Sequence, residues 1–199
     1  DDYSIGTSSV NVGEIYYKLG NDSTALQYLY VSEKAYQGTE NLPYTLNAIG
    51  RVYVRKNLFD KAIGYHREAY DIARKLDTKL DQTQLLVGLG QAQLAKGATA
   101  PAIEAFRQAV EIGMPLNAVT EIKDAYQGLT AAFSKQKDFA NAFKYQELLL
   151  SIKDTIFNIN TTKKLGTLQF AFDLEKKESQ ISLLNKDKEL QEQEIRRQK

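Results

Sequence analysis

Apolar and small residues recur three and four positions apart along most of this chain, with short polar breaks between runs. That is the pattern of successive helices, each burying one face. In "AIGRVYVRKNLFDKAIGYHREA", residues 48–69, Ile49, Gly50 and Tyr53 share a face of a first helix, "KN" makes a polar turn, and Ala62 and Ala69 mark the inner face of a second. The arrangement returns. Gly13, Gly50, Gly90 and Thr130 stand 37, 40 and 40 residues apart, and Ala25, Ala62, Ala102 and Ala142 keep the same intervals. Self-similarity at such a period predicts stacked repeats. The expected fold is all-α. Four helix pairs, near residues 5–40, 43–78, 80–116 and 118–157, stack as a right-handed α-solenoid, and a long C-terminal helix covers 158–199.

Within each pair the first helix carries a large apolar residue, a small one, and an aromatic three further on, as in Val12, Gly13 and Tyr16. The small residue lets the partner helix approach and the aromatic fills the space beside it. Pro101, after Thr99 and Ala100, suits the first turn of a helix, where a missing N–H costs nothing. These positions resemble the tetratricopeptide repeat family over about residues 5–157. The residues that carry the likeness are Gly13, Tyr16, Ala25; Gly50, Tyr53, Phe59, Ala62, Ala69; Gly90, Ala102, Phe106, Ala109; and Tyr126, Leu129, Phe133, Phe139, Ala142. The spacing departs from the usual ~34 residues, tryptophan is absent, and Asp22 and Thr99 stand where Phe59 and Phe139 stand in other pairs.

The segment after about Thr155 is of another kind. One glycine and no proline interrupt "NINTTKKLGTLQFAFDLEKKESQISLLNKDKELQEQEIRRQK", and Asp173/Lys177 and Glu192/Arg196 form acid-before-base pairs that support a solvated helix. Leu165, Leu168 and Phe172 are expected to pack on the last helix pair and cap it. Ile181, Leu184 and Ile195 fall in heptad register, with Lys188 and Gln191 in the seam between them, so a homodimer through a weak coiled coil and a solvated connector helix are both open. An array followed by "KDTIFN" to "ISLL" and a charged helix resembles the sensor region of bacterial membrane-bound signalling proteins. That resemblance implies an array on the periplasmic side of the inner membrane. It also implies a membrane span beyond the basic "EIRRQK", then a cytoplasmic output module such as a histidine kinase.

Composition narrows the chemistry. The net charge of +1 gives no basic stripe for nucleic acid, and no apolar run approaches the ~20 residues of a membrane span. Without cysteine and with one histidine, His66, an ordinary zinc site cannot be assembled, and no grouped acids form an EF-hand-like loop. His66 is read as a packed structural histidine. The glycines of "GLGQAQLAKG" lie inside a helix with no preceding strand, which argues against a phosphate loop. No metal, cofactor or catalytic residue is expected, and this stretch is read as a non-enzyme.

A stacked array offers its first helices to a partner along a concave face. The residues expected there are Glu14, Tyr17 and Lys18; Asn47, Arg51 and Arg55; Gln84, Val87 and Gln91; and Gln127 and Lys135. The family resemblance implies that Asn47, in "LNAIG", bonds the backbone of an extended peptide. It implies too that the neighbouring arginines take acidic side chains or a terminal carboxylate. The function expected is a sensory, protein-interaction module that binds a peptide or protein and relays through the C-terminal helix. A cytoplasmic adaptor with the same groove and no membrane span is the alternative.

Overall fold

The computed structural model describes the backbone of residues 1–197 and, apart from residue 183, the side chains of 1–186. Among these residues the chain forms eight α-helices: α1 (Asp2–Lys18), α2 (Asp22–Ala35), α3 (Leu42–Arg55), α4 (Phe59–Lys75), α5 (Lys79–Lys96), α6 (Thr99–Gly113), α7 (Val119–Lys135) and α8 (Phe139–Arg197). They pair as α1/α2, α3/α4, α5/α6 and α7 with the start of α8, and the first helices α1, α3, α5 and α7 pack side by side. Four stacked helix pairs make an α-solenoid. The chain divides into two compact units, Asp1–Lys153 and Asp154–Lys199, a boundary four residues before the one expected at 157.

The turns inside the pairs are one device used four times. Gly20, Asn57, Gly97 and Lys137 all have positive φ, from 59° to 91°, and they follow the 37, 40, 40 interval of the repeat. The next residue's N–H returns to a carbonyl of the last helical turn: Asn21 to Tyr16, Leu58 to Tyr53, Ala98 to Gln93 and Asp138 to Phe133, at 2.8–3.0 Å. This left-handed closure satisfies carbonyls that a helix end leaves unpaired. Glycine adopts it without strain, and asparagine tolerates it.

Packing is built on the small residues found in the sequence. Ala25, Ala62 and Ala102 are wholly buried where second helices cross first helices, and Ala142 nearly so. Behind the glycines of the first helices lie Leu29, His66 and Phe106, all without solvent exposure and 37 and 40 residues apart. A Cβ on Gly50 or on Gly88 would stand 2.7 Å from the His66 ring, and one on Gly90 would stand 2.7 Å from the ring of Phe106, which Gly128 covers from the other side. Leu29 is slimmer. It needs Gly13 on one side and tolerates Ala48 at the position that Gly88 fills in the next pair.

In the second compact unit the expected burial of Leu165, Leu168 and Phe172 is not found. They are 62%, 58% and 62% exposed, and Phe170 is 71% exposed. That unit is a single helix, so its apolar residues have no second element within it to pack on. Ile181 and Leu184 are likewise exposed, and Ile195 lies outside the residues whose side chains are described.

Candidate functional site

The first helices place their polar residues along one groove. A cavity of about 340 Å³ is lined by Glu14 and Lys18 of α1, Tyr44, Asn47 and Arg51 of α3, Gln84, Val87, Gly88 and Gln91 of α5, and Glu121 and Asp124 of α7. A second of about 370 Å³ shares Gln91 and Asp124 and continues to Gln127, Gly128, Ala131 and Lys135. Of the residues expected from sequence, Glu14, Lys18, Asn47, Arg51, Gln84, Val87 and Gln91 therefore meet in the first cavity, and Gln127 and Lys135 in the second. Tyr17 and Arg55 line neither.

Repeat register explains the residues that the sequence reading missed. Tyr44, Gln84 and Asp124 are 40 residues apart and hold equivalent places on α3, α5 and α7. Gln84 was singled out, and its two equivalents were available by the same arithmetic. Glu121 stands one turn before Asp124 and accepts from Gln84 Nε2 at 3.0 Å.

The arginines differ from expectation. Arg51 forms an ion pair with Glu14, and Arg55 forms one with Asp22 while donating to the Tyr17 carbonyl at 2.6 Å. The Arg55 guanidinium also covers the Tyr17 ring at 3.9 Å. Glu14 lies 37 residues before Arg51, so the solenoid stacks the acid directly beside the base. Both arginines thus meet their carboxylates within the protein. Lys135 is engaged too, donating to the Leu94 carbonyl at 3.1 Å, and Lys123 pairs with Asp124 at 2.9 Å. Burial pushes the Tyr44 phenol upward, with Glu14 adding to the effect and Arg51 opposing it.

Beneath this surface lies a polar group with no partner. Most polar side chains buried in the array are satisfied: Ser32 bonds Thr45 at 2.8 Å and Gln82 donates to the Ala73 carbonyl at 3.1 Å. Asn47 Oδ1, Arg51 Nε and both ring nitrogens of His66 are buried without a hydrogen bond, as is Gln93 Oε1 further along α5. His66 Nδ1 and Asn47 Oδ1 converge beside Gly88, at 2.8 and 3.1 Å from the point a Cβ of residue 88 would take. Desolvation, reinforced by the Arg51 charge, lowers the His66 pKa to about 4, so the ring is neutral at pH 7. Among the described residues no group of three or more His, Asp and Glu side chains converges as a metal site.

Residues 41–113 match the family model of the tetratricopeptide repeat. No curated protein matches the chain in sequence. Among solved structures it is similar to aspartyl phosphate phosphatase F from Bacillus subtilis, with a TM-score of 0.73 and 16% identity over 80% of this chain and 43% of that one. It is similar as well to BtubC (BKLC) from P. vanneervenii, with a TM-score of 0.71 and 16% identity over 78% of this chain and 66% of that one. The chain thus spans less than half the length of the first and just under two thirds of the second, and at this identity the likeness is one of fold. With four pairs sharing one set of intervals, one turn and one packing scheme, residues 41–113 match the tetratricopeptide repeat and the helices on either side continue the same fold.

Proposed function

We propose that this chain is the sensory, protein-interaction region of a bacterial two-component signalling protein, a membrane-bound sensor histidine kinase. An extended peptide or protein segment lies along the groove, and the helix beyond residue 153 relays its presence. Tetratricopeptide arrays are protein-interaction modules, and stacked repeats use such elongated faces for binding. The observation that carries the reading is the groove itself. It crosses α1, α3, α5 and α7, and Asn47 and Arg51 stand in its lining. In the lining Arg51 is paired with Glu14, Asp124 with Lys123, and Glu121 accepts from Gln84. A peptide held mainly through its backbone therefore suits the site better than the acidic one the arginines alone imply.

The periplasmic placement and the kinase output rest on the resemblance of the "KDTIFN" to "ISLL" segment. No described helix is long and apolar enough to cross a membrane, so the reading requires a span encoded beyond Lys199. Relay follows if ligand binds two states of the array with different affinity, and a homodimer through the second unit would carry the shift.

Fluorescence anisotropy with a panel of labelled decapeptides of basic, acidic and uncharged composition tests the binding role. Peptides should bind with little regard to their charge, and Asn47→Ala should weaken them about tenfold, the worth of one hydrogen bond to a partly buried partner. No binding across the panel would sink the groove reading. Sequencing the parent gene tests the rest: a secretion signal before Asp1 and roughly 20 apolar residues soon after Lys199 are required.

A further inference from the structure

Two positions of the helix pairs change character together. At the place of Asn47 on the first helix and of His66 on the second, successive pairs carry Val10 with Leu29, Asn47 with His66, Val87 with Phe106, and Gln127 with Gln146. Where one is apolar the other is apolar, and where one is polar so is the other. Packing alone asks for nothing polar behind Asn47. Phe106 shows that a ring of carbon fills the same slot between two glycines. An imidazole there has both nitrogens cut off from water, a loss that a phenyl ring would not incur.

What the imidazole adds is a donor. Behind Asn47 a phenyl ring would leave the amide oxygen facing carbon. A neutral imidazole presents one N–H, and its Nδ1 and the Asn47 oxygen both border the space beside Gly88, neither of them hydrogen-bonded as they stand. The ring can neither move away nor ionise readily, being held between Gly50 and Gly88 with the Arg51 charge nearby.

We propose that His66 is a positioning residue for Asn47: a small rotation of the Asn47 amide brings Oδ1, unbonded as it stands, onto His66 Nδ1–H beside Gly88, so that Asn47 Nδ2 is presented to the groove as a donor for a backbone carbonyl of the ligand. The ligand half of this statement rests on the peptide reading above. The pairing of the two side chains does not.

The test is a double-mutant cycle on the 199-residue chain with N47V, H66F and N47V/H66F, followed by urea unfolding and by NMR of the labelled proteins. Each single variant strands the other member of the pair and the double relieves both. The two single effects on the unfolding constant should therefore fail to multiply by about fivefold or more. In the unsubstituted protein the His66 proton should reside on Nδ1, and the Asn47 side-chain amide signals should move in H66F. A purely structural ring carries no such preference for Nδ1. Single effects that multiply within about twofold, or a proton on Nε2 with unchanged Asn47 signals, would overturn the proposal. The decapeptide panel separates the two readings. If no peptide binds but the cycle is coupled, the groove function fails and the His66–Asn47 pair stands. If peptides bind equally to the unsubstituted protein and H66F, the positioning role fails and the groove function stands.

Discussion

His66 and Phe106 hold the same place in successive helix pairs, each a ring pressed between two glycines of first helices: Gly50 and Gly88 for the histidine, Gly90 and Gly128 for the phenylalanine. The slot is the same and the chemistry is not. Only the second pair places buried nitrogens there, directly beneath the groove residues Asn47 and Arg51.

Installing the third pair's residues in the second should therefore stabilise the fold. N47V/H66F copies Val87 and Phe106, replaces two buried polar side chains together and adds apolar burial in a slot already shaped for it. An increase of about 2 kcal/mol in unfolding free energy is expected, read from urea melts. A fall in stability would mean that the two slots are not equivalent.

The same histidine gives stability a pH dependence. Its pKa is about 4 when folded against 6.5 as a free group, so between those values the unfolded chain binds a proton that the folded chain resists. Stability from this source is complete above pH 6.5 and falls as pH drops from 6.5 toward 4, by up to about 3 kcal/mol. Glu33, pushed upward by burial and by Glu68, acts in the opposite sense over its own range. The difference between the unsubstituted protein and N47V/H66F cancels that contribution. Urea melts from pH 7 to 4 should show the gap widening with acid, and a constant gap would refute the assignment.

Glycine substitutions should divide by what surrounds them. A Cβ at Gly88 meets the trapped His66 ring at 2.7 Å and Asn47 Oδ1 at 3.1 Å, and Gly50 closes the ring's other side. Gly88→Ala is expected to cost about 2–3 kcal/mol through overpacking. Gly64 sits on the exposed face of α4 with nothing within 4 Å of a new Cβ. There Gly64→Ala should gain about 0.5–1 kcal/mol from helix propensity alone. Thermal melts of the two variants should move in opposite directions.

Lys137 is the one residue of the four intrapair turns that the left-handed region does not favour, with φ 62° where two of its equivalents are glycine and one is asparagine. Lys137→Gly should raise stability by about 1 kcal/mol by removing that strain, with no change in peptide binding.

Much of the array was legible because one interval governs everything in it. The spacing that aligned Ala25, Ala62, Ala102 and Ala142 also aligns the turns at Gly20, Asn57 and Gly97 and the groove positions Tyr44, Gln84 and Asp124. The turn at "KQKD" is legible from its polarity, but lysine does not mark Lys137 as its left-handed residue. The ion pairs of Arg51 and Arg55 were hidden for another reason. Which neighbour a flexible cation chooses depends on the lateral stacking of α1 on α3, and a helical pattern along one helix does not encode it. In the tail, apolar spacing was real at Leu165, Leu168 and Phe172, but spacing alone does not say what, if anything, covers a face.

That uncovered face leads to the last expectation. Every member of the three apolar clusters lies within residues 1–153, so the array holds its core without the second unit. A chain cut after Lys153 should keep the unfolding free energy of the full chain to within about 1 kcal/mol. The second unit, by contrast, exposes Phe157, Leu165, Leu168, Phe170, Phe172 and Leu174 over 18 residues of helix, more apolar surface than an isolated helix ordinarily leaves in water. If a second copy covers it, sedimentation equilibrium will show the 199-residue chain associating as concentration rises and the 1–153 chain remaining a monomer. Monomers in both cases would remove the homodimer from the relay. The relay would then have to run through a partner of different sequence.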